Sequence, residues 1–156
     1  MERIGILPRL GASFIDFIVL VLFATLFGLV FGSPFVMGGL GYIGGLIFFG
    51  ALLAYSYLEV LWAQTPGKKV LGLKIMNQDG SEASQDVLMK RWAIKNCGNL
   101  FNLLSAITTL GLFSWLGGIG GMVIAGGCFL ILSADKLTLH DRLSQTSVFK
   151  SGPSQI

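Results

Sequence analysis

Charge is what this sequence has least of. Charged residues fill 12% of its 156 positions, against about 25% in soluble domains. A water-soluble fold of this size has too much surface to cover with so few. Histidine occurs once, which excludes a His-rich metal site, and no metal centre is expected. The two cysteines, Cys97 and Cys128, show no CxxC or CxxH spacing, so neither a zinc site nor a disulfide framework is indicated. Both read as small core residues. No Ser/His/Asp or Cys/His constellation is legible, so an enzyme is not expected and no cofactor is implied. Gly67-Lys68 lacks the upstream glycine and following hydroxyl of a phosphate loop. Gly39-x-Gly41-x-x-Gly44 matches the dinucleotide pattern without a strand before it, a coincidence of 22 glycines.

What is present is apolar. Hydrophobic residues make up 53% of the chain and the mean hydropathy is +0.75, a composition for which bilayer is the natural solvent. The net charge of +3 does not indicate nucleic acid, because the basic residues flank apolar segments instead of forming a patch with stacking aromatics.

Four spans are expected, at about 10–31, 43–62, 91–110 and 112–133. The first follows Pro8 and is interrupted only by Ser13, Asp16 and Thr25; its length and the absence of an A-x-A site argue against a signal peptide. The second ends in a belt of Tyr55, Tyr57 and Trp62. Between them, the uncharged turn Gly32–Tyr42 carries Ser-Pro and clustered glycine. The 36 residues of Gly98–Ser133 carry no charge. As one helix they would reach roughly 54 Å, far beyond a hydrocarbon core of about 30 Å, so they are split near Gly111. The third span is semi-polar at its start, with Lys95, Asn96, Asn99 and Asn102. Lys68, Lys69, Lys74, Lys90, Arg91 and Lys95 make the loop at 63–90 and its edge cytoplasmic by the positive-inside rule. Both termini then fall in the cytoplasm. Within the loop, Val70–Met76 is β-prone and Asn77-Gln-Asp-Gly80 is a turn signal, so a short hairpin is expected. Whether Thr146–Phe149 pairs with it as an added strand is left open.

The sharpest residues are Arg9 and Asp16, seven apart and therefore on nearly the same helical face. A carboxylate within a span costs on the order of 2.5–3.5 kcal/mol, so it should face the bundle or water and have a partner. Asp16 reads either as a proton or cation site or as half of a structural pair with Arg9. Glu59, at the cytoplasmic end of the second span, adds a second acid. His140 reads as a solvated surface histidine. Gly28-xxx-Gly32, Gly41-xxx-Gly45 and Gly117-xxx-Gly121 have close-packing spacing, read as ordinary tight packing.

Taken in order, Arg9-Leu-Gly-Ala12, Asp16, Glu59, Thr65-Pro-Gly-Lys-Lys-x-Leu-Gly-Leu-Lys-Ile75, Arg91 and His140-Asp-Arg-Leu-Ser-Gln-Thr-x-Val148 resemble the RDD family of bacterial membrane proteins. The arginine and two aspartates of its name map to Arg9, Asp16 and Asp141. The resemblance runs from about Leu7 to Phe149. One departure is Ser144-Gln145, where the family more often shows alanine-glycine before the threonine. Three spans are often given for the family, whereas the charges here favour four.

The resemblance implies a transport role, since some members are linked to sodium or other monovalent cation/proton antiport. The expected architecture is an all-α membrane protein, a small polytopic bundle with a short cytoplasmic β-hairpin. One domain would cover 1–150, with a flexible tail at 151–156, in the bacterial inner membrane. The expected partners are the bilayer, Na⁺, Li⁺ or K⁺, protons and further copies of the chain. Asp16 would bind cation or proton, Glu59 would be the second acid, and Arg9 would tune Asp16. Thr65, Lys68, Arg91, Asp141 and Arg142 would support the cytoplasmic face. The alternative is a non-transporting scaffold or accessory subunit with structural Arg/Asp pairs. A third reading is contact of Lys68, Lys69, Arg91 and Lys95 with anionic lipid.

Overall fold

Ile6–Phe31 forms the first helix, α1, in a computed structural model that describes residues 3–31 and 39–151. Pro8 lies in its first turn, where a missing N–H breaks no helical bond. The order continues with α2 (Gly39–Trp62), α3 (Pro66–Val70), β1 (Leu73–Asn77), α4 (Gln85–Lys95) and α5 (Cys97–Thr108). α6 (Gly111–Cys128), a 3₁₀ turn (Phe129–Leu132), α7 (Leu139–Ser144) and β2 (Thr146–Lys150) complete it. The turn expected at 32–42 lies outside the described residues over 32–38, and from Gly39 the chain is already helical. Of the tail, only Ser151 is described, and its N–H donates to Gly72 O at 2.8 Å.

Among the described residues, Ile6–Leu29 and Gly111–Leu132 are long and apolar enough to cross a membrane, while Leu46–Trp62 is apolar but shorter. Phe14, Leu22, Leu26 and Leu29 on α1, and Leu112, Trp115 and Met122 on α6, are each more than half exposed. Contiguous apolar faces of this kind suit lipid and not water.

The span expected at 91–110 is not one helix. α4 ends at Lys95, Asn96 caps it, and α5 begins at Cys97. At 12 residues, α5 is roughly 18 Å long, too short to cross alone. It packs against α6 as a helical hairpin, and the contact depends on glycine. A Cβ at Gly98 would lie 2.8 Å from Gly117 O, and one at Gly117 would lie 2.8 Å from Gly98 O and 2.7 Å from Asn102 Oδ1. Gly117-xxx-Gly121 thus serves close packing within the chain, since Gly121 also backs onto Gly98.

The expected local hairpin is also replaced. β1 pairs antiparallel with β2, Leu73 opposite Lys150 and Asn77 opposite Thr146. The Asn77–Gly80 turn does form, with Gly80 N donating to Asn77 O at 2.9 Å and a bridge between Met76 and Glu82. β2 wins as partner because it is buried along Thr146–Phe149, which supplies apolar packing that the polar segment after the turn does not. The core cluster joins Ala12, Val60, Ala63, Leu73, Ile75, Leu88 and Val148. It lies where the start of α1, the end of α2, α4 and the small sheet meet.

Crowding at the α5–α6 crossing gives a paired prediction. Gly117→Ala should lower stability in detergent by about 1–3 kcal/mol, the scale of overpacking. Gly118→Ala, whose Cβ meets nothing within 4 Å, should be neutral or gain up to ~1 kcal/mol of helix propensity. Thermal unfolding of the two variants beside wild type checks the contrast.

Candidate functional site

The Thr65-Pro-Gly segment is built to be held. Thr65 is the N-cap of α3 and Pro66 its first residue, the favoured order for a helix start. Asp16, on α1, takes this turn in hand: it accepts from Thr65 Oγ1 at 2.6 Å, Gly67 N at 2.8 Å and Tyr55 Oη at 2.8 Å. A Cβ at Gly67 would lie 2.1 Å from Ala12 O, so only glycine lets α3 approach α1 this closely. Asp16 also lines a cavity of about 380 Å³, with Ser13, Ser56, Thr65, Asn96 and Asn99 among its walls.

Beside it lies a buried charge cluster centred on Arg91, which is 2% exposed. Its Nη1 pairs with Glu59, and its Nη2 and Nε donate to Asp141 Oδ1 at 2.7 and 3.2 Å. Both acids are fully buried. Arg9 pairs with the other oxygen of Asp141 and donates to Lys136 O at 3.2 Å. Lys68 and Lys95 both reach Glu59 Oε2, at 3.0 and 2.8 Å. Asp141 is held by α7 itself, whose capping box joins Thr138 and Asp141. Four cations thus surround two carboxylates.

Burial alone would raise the Asp141 carboxyl, but the Arg91 and Arg9 guanidiniums outweigh it and hold the group well below the usual carboxylate range. Burial pulls the Lys68 ammonium down to about 8, against the attraction of Glu59. His140 falls to about 3 through burial and the repulsion of Arg91, so it is neutral at physiological pH. Its Nε2 lies 3.0 Å from Thr138 Oγ1.

The structure brings Arg9, Glu59, Lys68, Arg91 and Asp141 into one cluster and sets Asp16 with Thr65 in the adjoining cavity. It does not pair Arg9 with Asp16. A shared helical face permits that pair, but tertiary packing offers Arg9 a buried acid and Asp16 three neutral donors. Arg142 stands apart, half-exposed, with Asp135 Oδ2 at 3.3 Å and Ser133 Oγ at 3.0 Å. His140 is buried, not solvated. Cys128 is exposed and Cys97 half-buried, both free, so neither is the core residue expected. Sequence reasoning assigned no site role to Tyr55, Gly67 or Thr138, and Lys95 entered only as a lipid contact. Thr138, three residues before Asp141, carried a readable capping signal; Tyr55 read only as a belt aromatic.

Gly67→Ala should push α3 off α1 and weaken its hold on Asp16, costing about 1–3 kcal/mol as overpacking, read as a lower Tm. Acid should destabilise the protein. His140 and Asp141 both have folded pKa values below their unfolded ones, so the unfolded chain binds more protons as pH falls. Stability should decline from near pH 7 through His140 and further below about pH 4 through Asp141, at up to about 1.4 kcal/mol per pH unit for each group. His140→Leu should flatten the upper part of a Tm–pH curve and leave the lower part.

Among curated proteins and solved structures, none matches the chain. One protein family does, over residues 3–145, a stretch that contains Arg9, Asp16, Glu59, Arg91 and Asp141. The chain belongs to the RDD family.

Proposed function

We propose that this protein is a multi-pass protein of the bacterial inner membrane that exchanges a monovalent cation, Na⁺, Li⁺ or K⁺, for protons at Asp16. The observation that carries the reading is that Asp16 and the break between α4 and α5 line one cavity. Broken helices in transporters place backbone and side-chain oxygens at ion sites. Here Asn96 sits at the break, and Asn99, Ser13, Ser56 and Thr65 add oxygen to the same walls. In this reading the chain makes four passes, with the last turn of α4 and α5 together forming a broken third pass beside α6. The basic segment 63–90 and both termini then lie in the cytoplasm. Four passes enclose little by themselves, so a homo-oligomer completes the pathway.

A second reading, a non-transporting scaffold or accessory subunit, is favoured by the three donors already engaging the Asp16 carboxylate. The two readings part in proteoliposomes carrying a proton gradient. Exchange predicts gradient dissipation on adding Na⁺, Li⁺ or K⁺, with an initial rate in Asp16→Asn at least about tenfold lower, the scale of losing one well-placed ligand group. Asp135→Asn, at an exposed acid, should transport like wild type. Unchanged transport by a folded Asp16→Asn removes that carboxylate from the mechanism. No response in folded wild type, with Tm lowered by the mutation, establishes the scaffold.

A further inference from the structure

A second cavity, of about 560 Å³, borders the charge cluster, within the roughly 300–1,000 Å³ range of small-molecule sites. Arg9, Lys68, Arg91, Lys95 and His140 contribute to one part of its lining. Leu10, Ile124, Ala125, Phe129 and Ile131 contribute an apolar part. Three features of the polar part remain unspent. Among the described residues, the four cations meet two carboxylates, Glu59 and Asp141, leaving two positive charges without a counter-charge there. Lys68 and Lys95 each spend one N–H, both on the same oxygen of Glu59, although an ammonium carries three. Arg9 Nε and His140 Nδ1 are buried without a hydrogen-bond partner among the described residues, and both side chains are nine-tenths buried. Buried polar atoms are ordinarily satisfied, and an orphan marks a missing partner.

The apolar side tells what the partner is attached to. The cavity lies between the start of α1 and the end of α6 with its 3₁₀ turn, the two segments apolar enough to cross a membrane. α1 packs chiefly on α3, and α6 on α5, which leaves a seam between the two apolar helices. Leu10 and Phe129, which line the cavity, are 55% and 71% exposed, so the seam's walls continue onto the lipid-facing surface.

We propose that this cavity is a binding site for an anionic phospholipid, its phosphate held among Arg9, Lys68 and Lys95 and its acyl chains leaving between α1 and α6. The phosphodiester supplies one of the two missing counter-charges and acceptors for the unspent N–H groups, and guanidinium and ammonium groups are the side chains that bind it best. The site is centred apart from the proposed exchange site, with Ser13 and Lys95 lining both cavities.

The test uses the full chain purified in a neutral detergent and cleared of co-purifying lipid. Its thermal unfolding is followed with phosphatidylglycerol, with phosphatidylcholine of the same chains, and with inorganic phosphate. At a hundredfold excess over Kd, phosphatidylglycerol should raise Tm by roughly 5–10 °C, and the other two should not. Ala125→Trp fills the cavity from its apolar side without touching a charge, and it should abolish the shift while the protein remains folded. Lys95→Gln should weaken it. Equal stabilisation by phosphatidylcholine would overturn the proposal in favour of a charge-blind apolar cleft. Equal stabilisation by inorganic phosphate would overturn it in favour of a soluble-anion site. A full shift retained in folded Ala125→Trp would place the lipid elsewhere and also overturn it.

Discussion

A guanidinium buried between two buried carboxylates is the interaction on which the rest depends. Arg91 reaches Glu59 on α2 and Asp141 on α7, and those two acids draw in Arg9, Lys68 and Lys95. Five elements meet at these contacts. Burying so many charges is expensive in itself, and the arrangement holds because every cation touches one of the two shared carboxylates. Removing one partner strands the others, so the cluster behaves as a unit and not as a set of separable pairs. The constraint also fixes the position of everything around it. α3 can reach Glu59 with Lys68 only because Asp16 and Gly67 draw its first turn against α1.

The result is a molecule with two chemically different ends. One end is a tightly hydrogen-bonded polar centre backed by a small apolar core and a two-stranded sheet. The other is a set of apolar helices whose side faces are open. The aromatic residues at the join illustrate the division. Tyr55 turns inward to Asp16 and Tyr57 stacks edge-on with Trp92, whose Nε1 donates to Ser56 Oγ at 2.8 Å. Trp62 stays half-exposed, with Lys69 over its ring.

Much of the cluster was legible before the structure, because an acid at the end of an apolar helix, a basic loop and a His-Asp-Arg segment stand out against a nearly charge-free background. Partner choice was not legible. Helical periodicity sets which residues share a face but not what packs against that face, and so it offered Arg9–Asp16 where tertiary packing made Arg9–Asp141. Hydropathy likewise overstated the third span, since an average over 91–110 hides a single capping residue at Asn96. The polar run from Lys95 to Asn102 was the available warning. The hairpin failed for a different reason. Its turn forms, but strand pairing is decided by which candidate buries apolar surface, and β2 lies far away in sequence. Gln145 shows the departure from the family's glycine in physical terms: it caps α7 in the left-handed region at φ 55, a backbone that glycine adopts without strain.

The distance along the chain between β1 and β2, and between Arg9 and Asp141, has a consequence for biosynthesis. A ribosome delivers Arg9, Glu59 and Arg91 long before the acid that two of them share. Until α7 emerges, Glu59 alone must satisfy the arginine and two lysines around it, and β1 presents an unpaired edge. Each apolar helix can enter the bilayer as it is made, but the seam between them stays open. The α7–β2 stretch, translated after the elements it joins, is therefore the latch of the whole assembly. A nascent chain arrested before Leu139 leaves its helices with an unclosed, charge-bearing face, an intermediate that has begun to fold without the acid that Arg9 and Arg91 share.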